Sequence, residues 1–86
     1  MFKITDNKGF HITFENGWTV SIQFGPANYC ENYDEPLSDE DRIASGKRGS
    51  KTAEVAWWKE KGQLEGPEGW QTPAQVLAII NDVASR

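Results

Sequence analysis

The stretch "GFHITFENGWTVSIQF", residues 9–24, decides the fold. Its apolar residues fall on even numbers: Phe10, Ile12, Phe14, Trp18, Val20, Ile22 and Phe24. Its odd positions are polar at His11, Thr13, Thr19, Ser21 and Gln23. Strict alternation is the mark of strands with one buried face, because successive side chains point to opposite sides of a sheet. Between the two runs lies Glu15-Asn16-Gly17. A two-residue Asn-Gly hairpin would set Phe14 opposite Thr19 and put an apolar and a polar residue on one face. A three-residue loop with Gly17 in the left-handed position sets Phe14 opposite Trp18, Ile12 opposite Val20 and Phe10 opposite Ile22, and so keeps the pattern.

The same logic extends toward the N-terminus. Phe2 and Ile4 continue the even series, and Asn7-Lys8-Gly9 has the form of a second such turn, pairing Asp6 with Phe10 and Ile4 with Ile12. Residues 2–24 are thus expected as a three-stranded antiparallel meander. On its polar face, Thr5, His11 and Ser21 are expected in one cross-strand row and Lys3, Thr13 and Thr19 in another, as either a solvated face or a docking surface.

Downstream, residues 25–51 read as a long charged loop within a single domain spanning 1–86. Acids fill its first half (Glu31, Asp34, Glu35, Asp39, Glu40, Asp41) and bases its second (Arg42, Lys47, Arg48, Lys51). Connections of this length are usually functional or disordered. Asp39 to Ala44 suit a short helical turn behind Ser38 as cap. Thr52 to Lys59 read as a fourth strand, with Trp57 and Trp58 on opposite faces, so that one joins the core. Residues 60–71, with three Gly and Pro67, read as turns. Thr72-Pro73-Ala74-Gln75 combines a cap, a proline at the first helical position and a capping-box glutamine. The helix it opens carries Val76, Leu77, Ile80, Val83 and Ala84 as its apolar stripe. The expected fold class is α+β, β-β-β-loop-β-α, with the C-terminal helix packed on the sheet.

Composition narrows the function. The 86 residues carry 13 Asp+Glu against 9 Lys+Arg. A net acidic chain is poorly suited to direct binding of nucleic acid or an anionic membrane. With no charged-then-apolar leader and no long apolar run, the expected location is the cytoplasm, where a lone cysteine stays reduced. One Cys and one His are too few for a tetrahedral zinc site, and the acids at 31–41 lack the spacing of a calcium loop, so no metal or cofactor is expected. "SGKRGSK", residues 45–51, lacks the spacing of a phosphate-binding Walker loop, although its bases can meet phosphates as point charges. Cys30 with His11 would form a nucleophile–base pair only if the loop folded back over the polar face, and Ser21 beside His11 has no orienting carboxylate. No catalytic residue is expected. Tyr29, Tyr33, Trp58 and Trp70 exceed what the alternating core needs and fall near loops, where rings stack on bases or anchor protein partners.

The segments "GFHITFENGWTVSIQFGPANYCEN", "SKTAEVAWW" and "GWQTPAQVLAIINDVA" resemble a family of small, mostly uncharacterised proteins encoded by bacteriophages and prophages. The resemblance covers both ends of the chain, leaves residues 34–50 uncovered, and implies an accessory, anti-defence role exercised by binding inside the bacterial host cell. Two readings follow. In the first, the chain sequesters a nucleotide-type immune signal, with Tyr29, Tyr33 and Trp58 stacking on bases, Asn28 and Asn32 beside them, and Lys47, Arg48 and Lys51 on phosphates. So small a chain rarely encloses a pocket alone, so this reading expects a homo-oligomer. In the second, it docks on a host defence protein through the acidic segment Glu31 to Asp41, with Tyr33 or Trp58 as anchor.

Overall fold

The computed structural model describes all residues except Asn7, Lys47 and Arg48. The elements run β1 (Phe2–Thr5), β2 (Gly9–Thr13), β3 (Trp18–Gln23), α1 (Asp39–Ser45), β4 (Ala53–Lys59), β5 (Glu65–Gln71) and α2 (Pro73–Ala84). The strands form one antiparallel sheet in the order β1-β2-β3-β4-β5. The α+β class and the meander are as the alternation predicts. The sheet, however, has five strands rather than four.

The β2–β3 hairpin has the expected register, with Phe10 opposite Ile22 and Ile12 opposite Val20. Gly17 holds φ 87°, the left-handed conformation that the three-residue turn requires. The β1–β2 register differs by two residues: Ile4 lies opposite Phe10, not Ile12, and Thr5 opposite Gly9. Gly9 is therefore a strand residue. A Cβ there would lie 2.1 Å from the Ile22 carbonyl oxygen, so this glycine lets β3 approach rather than turning the chain. The polar rows shift accordingly. Lys3, His11, Ser21 and Ala56 form one, while Thr13, Thr19 and Trp58 form another. Thr5 instead bonds Gln23, whose Nε2 lies 2.7 Å from the Thr5 hydroxyl.

The missed strand is β5. Its sequence, EGPEGWQ, argues against a strand because of its glycines and Pro67. It is tolerated because β5 is an edge strand, where a missing N–H faces away from the ladder, and because its register slips twice against β4. Gly66 (φ 88°) sits where a Cβ would meet the Val55 carbonyl oxygen at 2.9 Å.

Val20, Ile22, Ala53, Val55 and Val83 are buried, and Phe10, Ile12, Phe14, Trp18, Trp57, Val76, Ile79 and Ile80 pack around them. Trp57 is thus the core tryptophan and Trp58 faces the other side. Helix α2 begins with the expected capping box: the Gln75 N–H donates to Thr72 Oγ1 and the Thr72 N–H to Gln75 Oε1. Its buried stripe is rotated from the predicted one. Ile79 packs inward, while Leu77 is 57% exposed and Ala84 is also exposed. Asn16 Nδ2 donates to the Val83 and Ala84 carbonyls, 3.0 and 3.3 Å away, which joins the β2–β3 turn to the end of α2. Arg86 lies 4.5 Å over the Trp18 ring and pairs with Glu65 and Asp82.

Helix α2 lies over β3, β4 and β5 only. The apolar face of β1 has no cover: Phe2 and Ile4 are 77% and 78% exposed. Residues 25–51 are less loop-like than expected. Ser38 caps α1 as predicted, its Oγ accepting from the Asp41 N–H, and Gly46 ends the helix at φ 76°. No other helix or strand packs on α1 among the described residues.

Candidate functional site

Between β3 and α1 the chain "GPANYCENY" (25–33) folds into a compact knot strapped across the end of β3, β4 and β5. Its hydrogen bonds are mostly main-chain. Asn28 Oδ1 accepts from the Gly25 N–H and the Ala27 N–H donates to Tyr33 O. The Tyr29 N–H donates to Glu54 Oε2 at 2.9 Å, and the Trp70 N–H donates to Tyr29 O at 2.8 Å. Glu31 adds a reciprocal pair: its N–H donates to Thr52 Oγ1 and its Oε2 accepts from the Lys51 N–H. The knot is therefore fixed to β4 on one side and β5 on the other.

Cys30 and Asn32 are the inner residues of this knot. Cys30 is 1% exposed and its Sγ donates to Gly25 O at 3.6 Å. The His11 ring stands edge-on to Trp58 at 5.2 Å instead, so the two form no nucleophile–base pair. Asn32 is buried and spends its Nδ2 on the Phe24 and Gly49 carbonyls. Both asparagines expected beside a ligand, Asn28 and Asn32, thus serve the knot itself. Asn32 Oδ1 is buried without a donor among the described residues.

Tyr29 and Tyr33 point outward, together with Ala27 and Glu31. Tyr29 stacks on Tyr33 at 5.9 Å between ring centres with 13° between planes, and on Trp70 at 5.7 Å and 20°. Tyr29 is the middle ring of a three-ring column. The rings stay 47% (Tyr29), 46% (Tyr33) and 56% (Trp70) exposed. The column exists because β5 bulges at Gly69-Trp70. Trp70 takes φ 49°, and Gly69 admits Tyr29: a Cβ at Gly69 would lie 2.9 Å from Tyr29 Cβ.

Of the expected ligand residues, the structure brings Tyr29 and Tyr33 together. It joins them to Trp70 rather than to Trp58. Trp58 lies opposite Thr19, toward the far end of β4 from Glu54. Lys51 exposes its side chain at the mouth of a separate apolar groove of about 270 Å³, floored by Ile22, Ala53, Val76 and Ile80 with Phe24 and Leu77 at its rim. Lys47 and Arg48 lie outside the described residues. Among the described residues, acids predominate near the column: Glu31 and Asp34 flank its tyrosines in the chain, Glu54 holds Tyr29, and Glu68 precedes Trp70 by two residues, with Lys51 bonded through its N–H to Glu31. Trp70 stood out in the sequence only as a surplus ring. Its place in the column depended on recognising β5.

The polar sheet face carries one perturbed group. Burial, and then the nearby Lys3, lowers the His11 pKa below its usual value. No group of three metal-ligating side chains occurs among the described residues, and no helix among them is long and apolar enough to cross a membrane. No protein-family model matches the chain, and neither a curated protein nor a solved structure matches it.

Proposed function

We propose that this chain is a non-enzymatic docking protein whose aromatic column anchors a basic partner protein. The observation that carries the proposal is the column itself: three stacked, half-exposed rings held by main-chain hydrogen bonds and flanked by carboxylates. Rings that are already ordered lose little entropy on binding, and large aromatics dominate binding energy where a partner desolvates them. The surrounding acids steer a positively charged surface toward the column and repel phosphates. Among the described residues, this charge arrangement suits a basic protein surface better than a nucleotide, whose phosphates need cations beside the rings. With the phage resemblance, the partner of choice is a host defence protein with a basic groove, met in the bacterial cytoplasm.

A pull-down from bacterial lysate with the wild type and with Tyr29→Ala/Trp70→Ala tests the reading. The wild type is expected to retain one stoichiometric basic protein at low salt and release it as salt rises. Equal recovery by the double variant, once shown to be folded, refutes the role of the column. A thermal shift of several degrees with a nucleotide and none with any protein would replace docking by sequestration.

A further inference from the structure

The opposite edge of the sheet presents a second surface, independent of the aromatic column. Five strands spaced about 4.8 Å apart are wider than the roughly 10 Å that one helix covers. Helix α2 covers β3, β4 and β5, which leaves the apolar side of β1 open and that of β2 only partly covered. The register makes that surface continuous. Ile4, Phe10 and Ile22 form one row and Phe2, Ile12 and Val20 the next. The Ile22 row runs into the groove beside α2, where Phe24 and Leu77 are exposed. No charged side chain interrupts these rows, because Lys3 and His11 belong to the other face.

The size of the molecule agrees. A compact monomer of this mass exposes roughly 5,100 Å², whereas this chain exposes 5650 Å². The radius of gyration is 13.3 Å, against about 12 Å for a compact domain of this length. Phe2 and Ile4, 77% and 78% exposed, alone leave on the order of 300 Å² of apolar surface per chain in water. That is the size of the largest apolar patch on a typical monomer, and such patches often mark interaction sites. Doubled by a two-fold axis, and with the exposed parts of Phe10, Ile12, Phe24 and Leu77 added, it approaches the roughly 1,200 Å² at the low end of specific interfaces.

We propose that a second copy of this chain covers this face, so that the protein is a face-to-face homodimer. The rows of this face are apolar and self-complementary, with Lys51 only at the mouth of the adjoining groove, so they offer a charged partner little to pair with. The uncovered strip beside α2 is about one helix wide, so each copy's helix stands next to the strands the other leaves bare. Extension of the sheet edge to edge is disfavoured instead. Thr13 exchanges main-chain bonds with Met1, so in β1 the even residues turn their N–H and C=O groups outward. A symmetric β1–β1 ladder through Phe2 and Ile4 sets Lys3 against its own copy, a like-charge pair of the kind that guards edges.

Sedimentation equilibrium from low micromolar to roughly 100 μM tests the proposal. The wild type is expected at twice the 9.7 kDa chain mass. Phe2→Ser/Ile4→Glu, at positions already in solvent, is expected at the chain mass with an unchanged far-UV spectrum. Leu77→Glu, on the helix rim, weakens the dimer in the same direction and covers the case in which the β1 variant does not fold. Tyr29→Ala/Trp70→Ala leaves the dimer intact. A wild type at the chain mass throughout, or a dimer dissociated only by the column variant, overturns the proposal. The docking reading stands or falls separately.

Discussion

Replacing Gly69 by Ala tests whether the column is rigid. The added Cβ would lie 2.9 Å from Tyr29 Cβ and 3.3 Å from Tyr29 O. Carbon atoms in contact rest about 3.5–4.0 Å apart, so the two chains must separate by roughly 0.6 Å or more. No rotamer relieves this, since a Cβ moves only with its backbone. The Tyr29 backbone is pinned by the Trp70 N–H at 2.8 Å and by Glu54 Oε2 at 2.9 Å. Gly69 has no left-handed φ, so the effect is purely steric. Overpacking of this kind costs about 1–3 kcal/mol, and weakening two ring stacks adds about 0.5–1.5 kcal/mol for each. A loss near 2 kcal/mol corresponds to a fall in Tm of roughly 10 °C for a domain of this size. Thermal unfolding gives the Tm, and near-UV circular dichroism reports the tyrosine–tryptophan stack. Gly49→Ala is the control: nothing lies within 4 Å of the Cβ it would add, so its Tm is expected to hold or rise slightly. Melting of Gly69→Ala within about 2 °C of the wild type, with an unaltered near-UV spectrum, would show that the column is not held by this contact.

Four further outcomes follow from the structure. Gly9→Ala drives a Cβ to 2.1 Å from the Ile22 carbonyl oxygen, a backbone atom that cannot step aside, and is expected to unpair β2 from β3 with a loss above about 3 kcal/mol in urea unfolding. Asn16→Ala removes the bonds to the end of α2 and to the Trp18 N–H, and should cost about 1–3 kcal/mol in the same assay. His11 has a lowered folded pKa, so the unfolded chain binds its proton first; its contribution is present above about pH 6.5 and is lost as pH falls through the folded pKa. The urea midpoint of the wild type should therefore fall more between neutral and mildly acidic pH than that of His11→Gln. Cys30→Ser keeps a donor toward Gly25 O and is expected to retain partner binding in the pull-down, an outcome that loss of binding by a folded variant would contradict.

The meander was legible because alternation and turn length constrain each other. Only a three-residue turn keeps Phe14 and Trp18 on one face, and Gly17 takes the conformation that turn demands. The same reasoning misplaced the first turn by one residue, because Gly9 also looks like a turn glycine. What it accommodates is the nearby strand β3, and a single sequence does not distinguish tolerance of positive φ from tolerance of close approach. Strand β5 was illegible for a related reason. Gly66, Pro67 and Gly69 are breakers by propensity, and only the contacts they permit with Val55 and Tyr29 explain them. With β5 hidden, Trp70 had no position, and Tyr29 and Tyr33 were grouped with Trp58, a tryptophan on the polar face beside His11.

The dependence of the column on β5 has a further consequence. An edge strand of sequence EGPEGWQ has little intrinsic preference for its conformation, since glycine adds backbone entropy and proline removes a donor. Toward the core it is held by β4, and at its far end by the knot, through Trp70 to Tyr29 and the contact at Gly69. The knot is in turn held by Glu54 and Thr52, at the start of β4. Site and edge therefore stabilise each other as one cooperative unit. A partner that binds only the ordered rings stabilises that unit by mass action, so docking should raise the Tm of the wild type with partner concentration. Trp70→Ala lowers both intrinsic stability and affinity, whereas Glu68→Lys, on an exposed side chain two residues away, reverses one steering charge and leaves the stack in place. If docking is electrostatically guided, Glu68→Lys slows association with little change in Tm. An unchanged association rate would mean that the acids around the column do not guide the partner.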